Sequence, residues 1–233
     1  MEKWQDPSLS LGQRCLAFAE NEMKNGVKED KLNSFTSARI KEYLAICKRR
    51  GTEKQLGLTS GNWCAAAVSF CLKQSLFEYE EIPHGFRAGA IEIESDLKDN
   101  KLWRPVQLAR QGLFKPEPGD IVIFNRSNPN NPESAWWRHI GFYHSGDDKG
   151  NFKLISGNNG GCWKIDSHKY SSSKLLGFGE YSDIIWRPQI INTTDKPLEV
   201  SDIDNVTPLN DSGPTPKLSI FESILEIFRD IFK

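Results

Sequence analysis

The chain has 233 residues, 26% of them charged, and a formal net charge of -1. Its length allows one sizeable domain plus an appendage, and its charge balance argues against general nucleic-acid binding, which favours a clearly basic face. No apolar run reaches transmembrane length. Residues 1–7 are polar and lack the hydrophobic core of a signal peptide. We therefore expect synthesis in a reducing cytoplasm, without a signal peptide and without a transmembrane segment.

The first third of the chain predicts helices. Apolar residues recur every three or four positions over residues 11–24 and 37–49, which is typical of helices with one buried face. A third helix is expected to begin at Cys64, where a run of small apolar residues would allow close packing against a sheet. Residues 80–110 are irregular in pattern, with short helices predicted over 88–96 and 108–111.

Strand patterns follow. Turn residues and β-branched or alternating runs predict strands over residues 120–125, 139–145, 151–156, 162–166 and 176–187. Helices first and an antiparallel sheet afterwards define the α+β class, with the helices packed on the sheet. We take residues 1–190 as one domain.

The composition changes after this domain. Residues 191–216 are polar, acidic and punctuated by proline, which predicts a disordered linker. Residues 217–233 then form a predicted amphipathic helix with Leu218, Phe221 and Leu225 on its apolar stripe. A helix of that length is not stable alone. It would dock on its own domain or on a partner protein, and its acidic polar face weighs against anionic membranes.

Cys64 is the candidate nucleophile. It lies at the expected start of a helix, where unpaired N–H groups and the positive dipole end lower a thiol pKa and populate the thiolate. The backbone N–H of Cys64 is the expected oxyanion donor. The alternative is that this cysteine is a small core residue.

A histidine and an asparagine complete a nucleophilic pattern. His139 begins one predicted strand and Asn158 follows the next one. In a Cys-His-Asn arrangement the histidine takes the thiol proton, and the asparagine holds the imidazole in the useful tautomer. The alternative bases are less well placed: His144 is expected on the opposite face of the strand, and His84 and His168 at the surface.

Three tryptophans are candidate substrate contacts. Trp63 precedes the candidate nucleophile, and Trp136 and Trp137 end a long polar loop just before His139. Packing of the loop tryptophans against the sheet is the alternative. Among the other cysteines, Cys15, Cys47 and Cys71 are expected in the core, a role for Cys162 stays open, and a disulfide framework is not expected.

These segments, in this order, resemble the CHAP-type cysteine peptidases and amidases of the NlpC/P60 and papain-like group. The resemblance rests on residues 63–66, 118–124, 139–143 and 156–158, and it spans roughly residues 12–188. It implies a papain-like fold, with residues 1–190 as a catalytic domain. Many members of that family carry a glutamate two residues before the asparagine, where this chain has Ser156. We therefore assign the orienting role to Asn158.

The resemblance also implies an activity. That activity is cleavage of a peptidoglycan amide, by an N-acetylmuramoyl-L-alanine amidase or a stem or cross-bridge endopeptidase, without metal or cofactor. An exported antibacterial effector or a phage-type lysin would act in the periplasm or cell wall after non-classical export or lysis. The C-terminal helix would then contact an inhibitor (immunity) or delivery protein. The alternatives are a protein-directed cysteine protease, deamidase or thiol acyltransferase, and a non-catalytic binding module.

Overall fold

The computed structural model describes residues 1–78, 80–128, 130–131 and 137–184. Trp136, the predicted linker over 191–216 and the predicted helix over 217–233 lie outside these ranges. Within them, no helix has both the length and the apolar character needed to cross a bilayer.

Helices dominate the first half of the described chain. They are α1 (Leu11–Lys24), α2 (Ala38–Ala45), α3 (Cys64–Ser75), α4 (Ala90–Asp99) and α5 (Val106–Arg110), after a short 3-10 turn at Lys3–Gln5. The predicted bounds of α1 are confirmed, and its start is fixed by a capping box between Ser10 and Gln13. The second helix is shorter than predicted, because the N–H of Lys48 donates to the Phe86 carbonyl instead of continuing the helix.

The strands form one antiparallel sheet. They are β1 (Trp103–Pro105), β2 (Ile121–Asn125), β3 (Arg138–Gly146), β4 (Asn151–Ser156), β5 (Lys164–Lys169) and β6 (Leu175–Gly179), in the spatial order β1-β6-β2-β3-β4-β5. The α+β class is confirmed. Five of these strands lie where the sequence predicts strands, and β1 was not predicted. The last strand ends earlier than expected, because the N–H groups of Tyr181 and Ser182 donate to the Asp120 carboxylate and not to a neighbouring strand.

Both faces of the sheet are covered. On one face, α1 and α3 pack over Phe142 and Ile155 in the larger core. On the other face, a smaller core joins Phe124 and Leu154 to Val106 of α5. A strand residue in the larger core therefore faces α1 and α3, and a strand residue in the smaller core faces α5.

The Pro-Gly-Asp turn before β2 connects the sheet to α1. Gly119 has φ +100°, and a Cβ added there would lie 2.1 Å from the carbonyl carbon of Gly12. Buried Asp120 accepts hydrogen bonds from the N–H groups of Glu117, Tyr181 and Ser182 at 2.8–2.9 Å. This turn is a structural element that fixes the start of β2.

Candidate active site

Trp63 fixes the beginning of α3. Its ring lies between the rings of Tyr43 and Trp163, with centroid distances of 5.9 and 6.3 Å, and its Nε1 donates to Glu29 at 3.2 Å. The side chain is 0% exposed. The expectation that Trp63 contacts substrate is therefore wrong, since the residue is an anchor inside the larger core. That anchor holds the next residue, Cys64, in a defined position.

Cys64 is the first residue of α3, and the helix start has no side-chain cap. The first N–H groups of a helix have no intrahelical acceptor, so they remain available to a ligand or to the thiol. Burial raises the pKa of the Cys64 thiol, and the backbone N–H groups of Ala65 and Cys64 lower it by a smaller amount, so the net pKa is raised. The resting thiol is consequently protonated and almost covered, with the residue 5% exposed.

A third N–H near the sulfur comes from the sheet. The N–H of Ile140 also lowers the Cys64 pKa by hydrogen bonding. In the ladder between β2 and β3, Arg126 donates to the Trp137 carbonyl at 3.0 Å and Tyr143 donates to the Asp120 carbonyl at 2.7 Å. Because hydrogen-bonded pairs alternate along an antiparallel ladder, the N–H of Ile140 faces away from β2 and towards β4.

Strand β4 ends before it can pair with Ile140 of β3, and this leaves a gap in the sheet between the two strands. Pairing of β3 with β4 runs only as far as Phe142 opposite Ile155, and β4 ends at Ser156. A Cβ on the next residue, Gly157, would lie 2.5 Å from the Trp63 ring, so the start of α3 packs where the chain leaves the sheet. The Cys64 thiol therefore lies against β3 at Ile140, the residue that follows His139 in the strand.

The His139 side chain lies at the same end of β3, but on the face of the sheet that carries the smaller core. It pairs with Phe124 of the smaller core, and its Nε2 lies 3.0 Å from the Ser156 hydroxyl oxygen. Its Nδ1 is buried and has no hydrogen-bond partner among the described residues. Burial, with smaller contributions from Arg126 and His168, lowers the pKa of His139 to about 3. The imidazole is therefore neutral.

Among the described residues, Asn158 makes no hydrogen bond to the imidazole. Its Nδ2 donates to the Asn62 side-chain oxygen at 3.3 Å, and its φ of 56° turns the chain away from the sheet. The sequence assigned to Asn158 the hydrogen bond that orients the His139 imidazole. In the structure Ser156 makes this hydrogen bond, because Ser156 is the last residue of β4 and its hydroxyl reaches Nε2. Asn158 connects the end of β4 to the loop before Cys64.

The rim of the gap carries Arg126 and Trp137. Trp137 is 44% exposed, so its predicted contact with substrate stays a prediction, whereas Trp136 lies outside the described residues. Arg126 is exposed and its charge lowers the pKa of both Cys64 and His139. Sequence analysis missed Arg126. The signal available was its position directly after a strand that pairs with the strand of His139.

The other histidines are not placed at this gap. His84 is 1% exposed, so the expectation of a surface residue is wrong; burial lowers its pKa to about 4. His168 is half-buried against Phe124, with ring centroids 4.6 Å apart. Half-exposed His144 lies 3.4 Å from Glu20 of α1.

The remaining cysteines are placed as predicted. Cys15, Cys47 and Cys71 are buried in the larger core, and burial raises the pKa of each thiol. Cys162 is a half-buried free thiol. In the described part of the chain, no cluster of three His, Cys, Asp or Glu side chains is arranged to hold a metal ion.

Comparison with protein-family models, with curated proteins and with solved structures finds no match to this chain. The thiol lies at a helix start with three N–H groups around it, and the residue before Ile140 carries a neutral imidazole. These are the kinds of group that nucleophilic attack on a carbonyl carbon uses.

Proposed function

We propose that the protein is a cysteine hydrolase of peptidoglycan amide bonds, with Cys64 as nucleophile and His139 as base. The observation that carries this proposal is the position of the Cys64 thiol at the N-terminus of α3, against the N–H of Ile140, the residue that follows His139 in β3. The sequence motifs shared with CHAP-type enzymes support the choice of peptidoglycan and of a papain-like fold. The order of a cysteine helix, a histidine strand and a following polar strand supports the same choice.

The proposed reaction has two stages. The Cys64 sulfur attacks the scissile carbonyl carbon while its proton passes to Nδ1 of His139, and a C–S bond forms. The imidazolium then gives that proton to the leaving nitrogen as the C–N bond breaks, which leaves a thioester. Water, deprotonated by His139, attacks the thioester, and the products are a carboxylic acid and the free thiol.

Backbone N–H groups stabilise the oxyanion in this scheme. The N–H of Cys64 is not used within α3, and the helix dipole adds positive potential at the same point. One such donor contributes on the order of 3 kcal/mol in acyl-transfer sites. Ser156 holds Nε2 of His139, so that Nδ1 is the nitrogen that exchanges the proton.

The cellular setting belongs to the same proposal. Action on peptidoglycan places the working enzyme in the periplasm or cell wall, as an exported antibacterial effector or a phage-type lysin. An inhibitor or delivery protein would bind the segment over residues 217–233, for which the sequence predicts an amphipathic helix. The same thioester chemistry would serve a protein-directed protease, deamidase or acyltransferase, so the experiment must discriminate between these substrates.

Digestion of purified sacculi tests the proposal. Sacculi of several peptidoglycan types are incubated with wild type, Cys64→Ser and the control Cys162→Ser, and soluble fragments are resolved by mass spectrometry. We expect new fragments from wild type and Cys162→Ser only, with masses that separate amidase from endopeptidase cleavage. No fragments from wild type on any sacculus type would overturn the peptidoglycan assignment, and equal fragments from Cys64→Ser would overturn Cys64 as the nucleophile.

A further inference from the structure

Arg126 and Trp137 form a pair at the rim of the gap. They face each other across the end of the ladder between β2 and β3, where the Arg126 N–H donates to the Trp137 carbonyl at 3.0 Å. Residues directly opposite on antiparallel strands project on the same face, and so do residues two apart on one strand. The next pair on this face is Phe124 with His139. The Arg126 side chain therefore lies on the same face as the His139 imidazole, as its diagonal neighbour.

The charge of Arg126 is available to a ligand. The residue is exposed, and within the described ranges its guanidinium makes no ion pair or hydrogen bond. Its positive charge lowers the pKa of the Cys64 thiol and of the His139 imidazole, so both reacting groups lie within its electrostatic reach. By contrast, Arg14, Arg39, Arg50, Arg87 and Arg104 are all held in ion pairs with carboxylates.

We propose that Arg126 is a specificity-determining residue that binds a carboxylate of an acidic peptide substrate beside the scissile amide. A guanidinium presents paired N–H donors that match the two oxygens of a carboxylate. The exposed indole of Trp137, on the same face, covers the apolar part of that peptide. This inference deepens the proposed function and rests on it for the scissile amide, but the anion site can be tested without any peptidoglycan substrate.

Two alkylating reagents test the anion site directly. Iodoacetate carries a carboxylate and iodoacetamide carries a neutral amide, and both transfer a two-carbon group to the thiol with loss of iodide. Rates of modification at Cys64 are measured by peptide mass spectrometry for wild type and Arg126→Ala. We expect the ratio of the iodoacetate rate to the iodoacetamide rate to fall roughly fivefold in Arg126→Ala, the size of one charge interaction across a partly solvated site.

Further variants distinguish binding of a carboxylate by Arg126 from an effect of Arg126 on the reactivity of the thiol. Arg126→Lys should keep most of the ratio, and Arg126→Glu should lower it further than alanine. Arg49→Ala removes the same charge from another exposed position and should leave the ratio unchanged. If Arg126 only tuned the thiol, both reagents would slow equally and the ratio would stay constant. A constant ratio, or a Cys64 that reacts with neither reagent, would overturn the anion site.

A second measurement links the site to substrate. Paired muropeptides that carry either a carboxylate or a carboxamide next to the scissile bond are compared in wild type and Arg126→Ala. We expect wild type to prefer the carboxylate form through KM, and Arg126→Ala to lose that preference. Equal preference in both proteins would overturn the substrate claim. A reagent ratio that depends on Arg126, together with intact sacculi, would instead contradict the peptidoglycan assignment and leave an anion site beside Cys64.

Discussion

The hydroxyl oxygen of Ser156 lies 3.0 Å from Nε2 of His139, inside a region where both residues are buried. A hydroxyl can fix the orientation of the imidazole but adds no negative charge. The imidazole therefore stays neutral, and its pKa of about 3 reflects burial without a compensating carboxylate.

Removal of the Ser156 hydroxyl should impair catalysis. We expect Ser156→Ala to lower kcat by about tenfold, because one hydrogen bond worth about 1.4 kcal/mol no longer holds the imidazole. The measurement is kcat on the sacculus or muropeptide substrate that wild type cleaves. Asn158→Ala is the matched comparison, since it removes the bond to Asn62 and leaves Ser156 in place. A larger loss in Asn158→Ala than in Ser156→Ala would return the orienting role to Asn158.

A carboxylate at this position should change the protonation of the site. In Ser156→Asp, a negative charge beside Nε2 favours the imidazolium, so the pKa of His139 should rise from about 3 by one unit or more. The check is an NMR titration of the imidazole nitrogens, with the amide spectrum as a control for folding. An unchanged His139 pKa in a folded variant would contradict the contact between the two side chains.

Buried His84 should make stability depend on pH. Its pKa is lowered from 6.5 to about 4 in the folded protein. Between those values the unfolded chain binds a proton that the folded chain does not, so stability falls as the pH drops below about 6.5. At pH 5 this costs about 2 kcal/mol relative to pH 8.

Replacement of the imidazole tests this cost. His84→Asn keeps a donor for the Gly85 carbonyl, with which Nδ1 makes a 2.6 Å contact. Urea unfolding at pH 5 and pH 8 should show a pH-dependent loss that is smaller in His84→Asn by about 2 kcal/mol. The same pH dependence in both proteins would show that His84 is not kept neutral by burial.

Trp63 should contribute strongly to the stability of the folded protein. We expect Trp63→Ala to lower the free energy of unfolding by about 3–5 kcal/mol, because a fully buried indole leaves a cavity beside Tyr43 and Trp163. Trp137→Ala is the control, and its effect should stay within about 0.5 kcal/mol because the side chain is half-exposed. Chemical denaturation measures both. Similar values for the two variants would contradict the anchoring role of Trp63.

Local patterns predicted most of the fold and part of the site. The 3–4 spacing of apolar residues located α1, and alternation located β3 and β4, because these signals depend only on the buried face of each element. Strand β1 was missed because three residues, Trp103–Pro105, carry too little pattern. The early end of β6 depends on Asp120, a partner about sixty residues away.

Which side chains meet in the candidate site depends on how strands β2, β3 and β4 are paired, and local sequence patterns do not reveal this pairing. Cys64 and His139 were chosen as candidates from local context, and the structure places them at a helix start and a strand start as predicted. The choice between Ser156 and Asn158 required knowing where β4 leaves the sheet, and the importance of Arg126 required its pairing with Trp137. Trp63 was misassigned for a related reason, since its burial is created by Tyr43 and Trp163 from distant segments.

In the proposed mechanism, His139 takes the proton of the Cys64 thiol. The most direct test is the rate of Cys64 modification by neutral iodoacetamide, from pH 5 to pH 9, in wild type and His139→Gln, with unmodified Cys71 as an internal control for folding. We predict that wild type reacts at least about tenfold faster than His139→Gln near neutral pH, since a positioned base contributes two or more orders of magnitude in such steps. Equal rates across the pH range in two folded proteins would contradict proton transfer from Cys64 to His139.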